Sequence, residues 1–302
     1  GLFTGCGNQF KVLVDEGSGF FGLGILVDTI LLEGLVAEEV VAVLVIERIG
    51  PGFGIHEVGA PVQLLQGSTR WGYHLYAAVA PSIAGQFEPA SYGQVIAGLK
   101  ALGFYGVTEV ALGADIVASH EAEELKAKGL LTSSCCPSFV SYVIRNHPTM
   151  QSIVSNAPSP MLTVGRYIKE HDHRARVIFI GPCIAKKKEF QLGRAMKAID
   201  CVLTYEELYA LFDAKGIDLA SLEPDDLNDA SPFGRGFAYS GGVTAAIAQA
   251  LKEKGITDEE FQFKAVPCSG IDECKRALMK AKAGTLEGNF IEGMACSGGC
   301  VN

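Results

Sequence analysis

The sequence lacks any uninterrupted hydrophobic run long enough to cross a membrane. Its most apolar stretch, residues 23–46, contains Asp28, Glu33, Glu38 and Glu39. A membrane-spanning helix needs about 18 or more consecutive residues that are almost all apolar. We therefore expect a soluble protein with no membrane partner.

Positive charge is also scarce. The chain has 25 Lys and Arg residues against 34 Asp and Glu residues, a formal net charge of −9. Proteins that bind nucleic acid need a basic face that displaces the counterions of the phosphates. The charge balance therefore argues against nucleic acid as the main partner.

The sequence shows no secretion signal, in which a basic segment precedes an apolar run and a small-residue cleavage site. We therefore expect a cytoplasmic protein whose thiols stay reduced. The nine cysteines among the 302 residues are not needed as disulfide staples, because a chain of this size buries about 75% of its unfolded surface. They indicate another chemistry.

Short β-branched runs alternate with helical patterns, which predicts an α/β fold with largely parallel sheets. Ser91 and Thr204 are expected to cap helices. The predicted strands are 11–14, 40–46, 75–79, 107–112, 177–180 and 201–203. The predicted helices are 92–102, 115–128, 138–145, 160–170, 205–215, 243–254 and 271–282. A glycine-rich joint at 50–73 suggests an N-terminal βαβ-like unit, 1–73, followed by a main domain, 74–302.

The N-terminal unit contains a possible nucleotide-binding motif. The sequence GSGFFG at 17–22 follows a predicted strand, and a second apolar run ends at Glu47, a spacing typical of dinucleotide-binding proteins. Asp15 and Glu16 stand directly before the first glycine, however, where they would repel a pyrophosphate. A plain βαβ packing unit is the alternative that we favour.

Cysteine is concentrated in four places: TSSCCPSF at 132–139, GPCIAKKKE at 181–189, the pair Cys268 and Cys274, and GMACSGGC at 293–300. In the last of these, two glycines between Cys296 and Cys300 let the backbone bend around a metal or cluster. Four thiolates suit zinc or an iron–sulfur cluster, and zinc ribbons usually draw their ligands from two CxxC pairs. Single cysteines from distant loops favour an iron–sulfur cluster.

Three of these loops, in this order, resemble the three signature motifs of the FeFe hydrogenase catalytic domain, and the likeness runs from about Tyr76 to the C-terminus. The resemblance implies two βα lobes that enclose a buried iron–sulfur cofactor, the H-cluster. This is a 4Fe-4S cubane joined to a two-iron subsite with CO, cyanide and a bridging dithiolate amine. By motif, the cubane ligands would be Cys136, Cys183, Cys296 and Cys300, with Cys300 bridging to the two-iron subsite. The residues implied around the cyanide ligands are Ala80, Pro81, Ser82 and Lys186.

The resemblance also implies a route for protons. Cys135 matches the thiol that exchanges protons with the bridging amine. Glu121 and Glu124 share one face of a predicted helix and resemble the paired glutamates of the family's proton path, while Ser155 matches the serine between them. A pair of glutamates on a helix is otherwise most often a plain solvated surface.

The sequence departs from the family's usual pattern at four positions. Gly181 replaces a methionine, Ser297 a proline, Phe139 a tryptophan and Met161 a glutamine. These positions surround the two-iron subsite, so the chain resembles the divergent branches of the family.

The function implied is reversible interconversion of H₂ with protons and electrons, with a ferredoxin-type redox protein as electron partner and maturase proteins for assembly. Two alternatives remain open. A hydrogen sensor would keep all of the same residues. An iron–sulfur cluster carrier would keep the cluster ligands alone, without the two-iron subsite and without need of Cys135, Lys186 or the glutamates.

Overall fold

The computed structural model describes residues 72–192 and 197–302, the backbone at 4–5 and 8–9, and residues 64–65. Near the N-terminus, strands β1 (Thr4–Gly5) and β2 (Asn8–Gln9) form an antiparallel pair. The predicted strands 11–14 and 40–46, the GSGFFG segment and nearly all of the joint lie outside the described residues. The division into units 1–73 and 74–302 therefore stays a prediction.

The first large sheet has four parallel strands in the order β4-β3-β6-β7. Their bounds are β3 His74–Val79, β4 Gly106–Glu109, β6 Ala175–Ile180 and β7 Cys201–Leu203. In this register Val79 lies opposite both Glu109 and Ile180. The carboxyl ends of the strands therefore lie at one edge, where the segments beginning at Ala80 and Gly181 emerge together.

The second sheet is also parallel and has the order β5-β9-β8. Its strands are β5 Leu131–Thr132, β8 Ala265–Ser269 and β9 Phe290–Met294. The cysteine loops at 135–136 and 296–300 follow the carboxyl ends of β5 and β9. The expected α/β class with parallel sheets is thus confirmed, although the sequence pattern did not predict this second sheet.

Helices connect the strands and cover the sheets. Their bounds are α1 Tyr92–Ala101, α2 Val110–Lys128, α3 Pro137–Asn146, α4 Pro160–His171, α5 Ile184–Phe190, α6 Tyr205–Ala214, α7 Pro232–Gly236, α8 Gly242–Glu253 and α9 Ile271–Ala283. Short 3₁₀ turns occur at Pro81–Ile83, Pro148–Ile153 and Leu219–Ser221. No helix in this described part of the chain is long and apolar enough to cross a membrane.

The predicted caps are confirmed. The Ser91 hydroxyl accepts a 3.3 Å hydrogen bond from the Gln94 N–H, and the Gln94 side chain accepts one of 2.8 Å from the Ser91 N–H. Thr204 and Glu207 make the same reciprocal pair at α6. Each pair satisfies backbone donors that a helix end leaves without an intrahelical partner, which explains why these helices begin where the sequence indicates.

The predicted strand 107–112 was wrong at its C-terminal half. The strand ends at Glu109 and α2 begins at Val110. A short apolar run cannot distinguish a strand from a buried helix, and here helix packing decides the outcome. At Gly113 an added Cβ would lie 2.3 Å from the Pro160 carbonyl oxygen, so the first turns of α2 pack directly against α4.

Candidate functional site

A cavity of about 80 Å³ lies where the carboxyl ends of the two sheets face each other. A single water needs about 10–15 Å³ of such cavity volume, so this cavity has room for a group of several atoms. The described cysteines that line it are Cys135, Cys136, Cys183 and Cys300. The rest of its wall is mostly apolar, and includes Val110, Met161, Phe179, Phe237 and Met294.

The cysteines enter the cavity from three loops. Cys136 is the residue before α3 and Cys183 is the residue before α5.

The loop from Cys296 to Cys300 is held in place by backbone contacts. Gly299 has φ +102°, and a Cβ added there would lie 2.4 Å from the Ala238 carbonyl oxygen. The Cys300 N–H donates a 2.7 Å hydrogen bond to that oxygen. Only glycine at position 299 can therefore approach the Ala238 carbonyl oxygen this closely. This close approach brings Cys300 to the cavity wall.

Cys296 differs from the other three predicted ligands because it is exposed and does not line the cavity. It lies close enough to Cys136 and Cys183 for their charges to raise the pKa of its thiol, after the larger effect of burial. Burial, and then the charge of Cys136, raise the pKa of Cys300 to about 12. The predicted ligands thus form one electrostatically connected group, with Cys296 at its outer rim.

This set of thiols fits a cluster better than a single ion. Within the described residues, no three His, Cys, Asp or Glu side chains converge as they would around one metal ion. A cubane needs one thiolate at each of its separate irons, and the positive irons offset the repulsion between thiolates that otherwise raises these pKa values. The donor chemistry and the cavity beside Cys300 therefore fit an iron–sulfur group.

Lys186 also lines the cavity. Its Nζ donates a 3.1 Å hydrogen bond to the Cys135 carbonyl oxygen and forms a 2.7 Å ion pair with Glu189. Burial lowers the pKa of Lys186, but the Glu189 carboxylate outweighs it and the net shift is upward. The side chain is therefore an ammonium, and one of its three donors remains for a group in the cavity.

A group of polar side chains lies beside Cys135, beginning with Glu121, whose charge acts on the thiol. The Ser155 hydroxyl donates a 2.9 Å hydrogen bond to Glu124 Oε2, and the same hydroxyl lies beside Glu121. The backbone N–H of Ser134 donates to Glu121 Oε1 at 3.1 Å. Glu121 Oε2 is buried without a hydrogen-bond partner among the described residues. The structure thus brings Glu121, Glu124 and Ser155 together beside Cys135.

The two glutamates have opposite pKa shifts. Burial raises the pKa of Glu121 to about 7, although the hydrogen bonds that Ser134 donates to it oppose the shift. Burial also acts to raise the pKa of Glu124, but the bonds from Lys128, Asn156 and Ser155 outweigh it and hold that pKa below its ordinary value. At neutral pH the inner carboxyl therefore binds and releases a proton easily, while the outer one is a carboxylate.

Burial raises the pKa of the Cys135 thiol well above its ordinary value, and the charges of Glu121 and Cys136 act in the same direction. A thiol that is not a metal ligand therefore keeps its proton here. This is the state that a proton carrier needs before it donates.

Ala80, Pro81 and Ser82 line the cavity at the end of β3. Behind them lies Tyr205, which sequence reasoning missed. Its hydroxyl is 2.7 Å from that of Ser82. The two residues are far apart in the chain, and no local pattern signals their contact.

Phe179 is a second residue that sequence reasoning missed. It lines the cavity, and its Cε1 and Cζ atoms lie 2.7 Å from the position of a Cβ added to Gly181. The Phe179 ring thus occupies the space beside Gly181 that a larger residue at that position would need. Among the other departures, Met161 lines the cavity, and Phe139 packs against Gly293, where an added Cβ would lie 2.2 Å from its ring.

In the described part of the chain, the cysteines outside the site are buried. Cys201 lies in the core on one face of the first sheet, and Cys268 and Cys274 lie in a cluster with Phe139 and Ile291.

The chain matches the family model described as "Iron only hydrogenase large subunit, C-terminal domain" over residues 73–302. Solved structures with the same fold include a FeFe-hydrogenase in which stepwise H-cluster assembly was revealed. It has a TM-score of 0.63 and 21% identity, over 76% of this chain and 79% of that one. The apo FeFe-hydrogenase of Chlamydomonas reinhardtii has a TM-score of 0.62 and 22% identity, over 76% of this chain and 79% of that one.

Curated relatives fall into two functional groups. Iron hydrogenase 1 of Clostridium pasteurianum is 26% identical over 76% of this chain and 49% of its own length. The periplasmic Fe hydrogenase large subunit of Nitratidesulfovibrio vulgaris is 29% identical over 69% of this chain and 61% of its own length. The cytosolic iron-sulfur assembly component 3 of Bos taurus is 23% identical over 60% of this chain and 48% of its own length.

The chain thus spans about half the length of the curated relatives it matches, and both hydrogenases and assembly proteins occur among them. The family model nevertheless covers most of the chain, including all three cysteine loops and the glutamate pair. The chain belongs to the family of C-terminal domains of the iron-only hydrogenase large subunit.

Proposed function

We propose that this chain is a FeFe hydrogenase domain that reversibly interconverts H₂ with two protons and two electrons. The observation that carries the proposal is the position of Cys135. This thiol is not one of the expected cluster ligands, yet it lines the cavity and lies close enough to Glu121 for that charge to act on it. Ser155, beside Glu121, donates a hydrogen bond to Glu124. A protein that only carries a cluster has no need of a protonated thiol beside these carboxyl groups.

Four cysteines would hold the cubane: Cys136, Cys183, Cys296 and Cys300. Cys300 would bridge to a two-iron subsite in the cavity, beside Ala80, Pro81, Ser82 and Lys186. When bound, this subsite supplies a metal that polarises H₂ for heterolytic cleavage, and the cubane supplies a store for single electrons.

The chain's own residues would move the proton. Glu124 is partly exposed and exchanges protons with solvent. The Ser155 hydroxyl joins it to Glu121, whose pKa of about 7 lets it accept and release a proton near neutral pH. The free Oε2 atom of Glu121 is available to pass the proton toward the Cys135 thiol.

Other residues would orient the cofactor and exclude water. The Lys186 ammonium would donate a charge-assisted hydrogen bond to an anionic ligand, a contact that is roughly twice as strong as a hydrogen bond between neutral groups. The side chains of Val110, Met161, Phe179 and Phe237 make the wall largely apolar. Such a wall keeps bulk water away from the reacting groups and strengthens the electrostatic contacts inside.

Electrons would enter at the rim of the cluster site. Cys296 is the exposed member of the ligand set, and it therefore gives the cubane its shortest route to a docked redox protein. A ferredoxin-type protein is the electron partner that we propose, and maturase proteins would assemble the two-iron subsite.

A cluster carrier is the second candidate, because an iron–sulfur assembly protein is among the relatives. Such a carrier would bind the cubane with the same four cysteines. It would hold four irons per chain and would transfer them to an acceptor protein. A hydrogen sensor would share the full cofactor and differ in turning over slowly.

The test is to treat the purified chain anaerobically with maturases, then to measure its iron content and its H₂ evolution with a reduced dye. We expect six irons per chain and H₂ evolution that requires the maturase treatment. Four irons per chain, no H₂ evolution and transfer of the cluster to an apo-ferredoxin would contradict the proposal and support the carrier.

A further inference from the structure

Two buried hydroxyl groups meet at the wall of the cavity. The Ser82 Oγ and Tyr205 Oη atoms are 2.7 Å apart, and the residues are 2% and 6% exposed. Ser82 belongs to the 3₁₀ turn that follows β3, and Tyr205 is the first residue of α6, which follows β7. Ser82 lines the cavity, whereas Tyr205 stands behind it.

The distance allows either hydroxyl to donate, and the greater acidity of a phenol than of an aliphatic hydroxyl favours Tyr205 as the donor. The Tyr205 proton has two acceptors within reach, Ser82 Oγ at 2.7 Å and the Ala80 carbonyl oxygen at 3.5 Å. The shorter contact is the stronger bond. If Tyr205 donates to Ser82, the proton of Ser82 is not used within the pair and is left to point at a group in the cavity.

Two further features determine what a pair in which Tyr205 donates can do. Burial raises the pKa of Tyr205 above its ordinary value, so the phenol keeps the proton that it donates. In addition, a hydroxyl that accepts a hydrogen bond becomes a better donor, because neighbouring hydrogen bonds polarise one another in a low-dielectric interior. The pair is therefore a stronger donor toward the cavity than Ser82 alone.

We propose that Tyr205 is a positioning residue, which orients the Ser82 hydroxyl as a donor to one cyanide ligand of the two-iron subsite. This inference rests on the proposed function and extends it to a residue that does not touch the cavity. Lys186 lies at another part of the wall, where it bonds to Cys135, and would donate to the other cyanide. The two cyanides would thus meet chemically different donors, one an ammonium and one a pair of hydroxyls.

The test is the infrared spectrum of the maturase-treated protein in the cyanide region, compared between the wild type, Tyr205→Phe, Ser82→Ala and the double variant. Tyr205→Phe removes only the hydroxyl and keeps the ring that packs against Phe87. We expect both single variants to move the same cyanide band and to leave the other in place. In the double variant the Tyr205 substitution should add no further shift, because its effect passes through Ser82.

A matched control and a second measurement guard against general disturbance of the fold. Tyr76→Phe removes another partly buried hydroxyl, which donates to Asp172, at a residue that does not line the cavity, and it should leave both bands unchanged. Replacing all tyrosines with 3-fluorotyrosine makes the phenol a stronger donor without removing any side chain. It should move the Ser82-dependent band in the direction opposite to Tyr205→Phe, and it should have no effect in Ser82→Ala.

The outcomes separate this inference from the proposed function. Bands that do not respond to Tyr205→Phe, or cyanide bands that all move together, would overturn the inference and leave the proposed function standing. Complete absence of cyanide bands from the maturase-treated wild type, with the cubane intact by electron paramagnetic resonance, would overturn both.

Discussion

The Ser155 hydroxyl donates a 2.9 Å hydrogen bond to Glu124 Oε2 and at the same time lies beside Glu121. Ser155 follows the 3₁₀ turn at Pro148–Ile153, whereas both glutamates belong to α2. Ser155 thus lies between a partly exposed carboxylate and a fully buried carboxyl, which separately would be ordinary surface and core groups.

Replacing Cys135 with alanine tests the proposed proton carrier. The substitution removes a transferable proton but none of the expected cluster ligands. We expect H₂ evolution to fall by about 10²-fold or more, the usual effect of losing a group that transfers protons. Iron content should stay unchanged. Cys201→Ala is the matched control, because it removes a buried thiol from the core and should leave turnover near that of the wild type. Undiminished H₂ evolution in Cys135→Ala would exclude the carrier role.

Replacing Cys300 with alanine tests the proposed bridge between the two subclusters. We expect the maturase-treated variant to lack infrared bands of CO and cyanide, because the two-iron subsite loses its attachment. A variant that retains both these bands and the wild-type cubane signal in electron paramagnetic resonance would refute the assignment of Cys300.

The pKa of Glu121 predicts how stability depends on pH. Its pKa is raised from 4.5 to about 7 in the folded chain. The stabilisation from binding this proton is therefore complete below about pH 4.5 and is lost as the pH rises through about 7. A shift of this size corresponds to about 3 kcal/mol. Relative to the wild type, Glu121→Gln should therefore gain stability as the pH rises from 5 to 8, measured by thermal unfolding.

Glu124→Gln is the matched control for that experiment, because its pKa is shifted in the opposite direction. The pKa of Glu124 is held below its ordinary value by its hydrogen bonds, so its stabilisation is present above the ordinary pKa and is lost on acidification. Glu124→Gln should therefore lose stability relative to the wild type near neutral pH. The same trend with pH in both variants would contradict the pKa shifts that the relay requires.

The contact between Phe179 and Gly181 predicts a packing defect. A methyl group added in Gly181→Ala would lie 2.7 Å from the Phe179 ring and 3.2 Å from the Ala80 Cβ. Overpacking of this kind costs about 1–3 kcal/mol, and the accompanying change Phe179→Leu should recover part of it. Gly236→Ala is the control, because the nearest atom to its added Cβ is 4.0 Å away. Thermal unfolding measures all of these variants, and equal stability of Gly181→Ala and the wild type would show that the ring moves freely.

The sequence predicted the elements whose signals are local. The strands 75–79, 177–180 and 201–203 are apolar runs bounded by polar residues, and the seven predicted helices have ends within one residue of those observed, except for the start of α2. The side-chain caps at Ser91 and Thr204 account for the accuracy at the starts of α1 and α6, because a cap acts only on the helix that follows it.

The second sheet could not be predicted, because its strands lack local signals of this kind. The strand β5 has only two residues, β8 contains Pro267, and β9 contains Glu292 and Gly293. Glu292 is tolerated in the interior because its carboxylate accepts hydrogen bonds from the Gly241 and Thr244 N–H groups at 2.7 and 2.9 Å. These strands are stabilised by partners distant in the chain, which sequence patterns do not reveal.

The candidate site, like the fold, could be predicted from the sequence only where the signals are local. The cysteine loops could be found because their residue types and spacing suit a cluster, and the roles of Lys186, Ser155 and the glutamates came from the resemblance. Tyr205 and Phe179 could not be found in this way. Their importance depends on contacts with Ser82 and Gly181 that exist only once the strand ends have been brought together.

The most direct test of the account is the infrared spectrum of the anaerobic, maturase-treated protein in the region where CO and cyanide absorb and protein is nearly silent. We predict bands of both ligands, together with a cubane signal in electron paramagnetic resonance. A cubane signal without any such bands would contradict the account, because the cavity beside Cys135 and Cys300 would then hold no two-iron subsite.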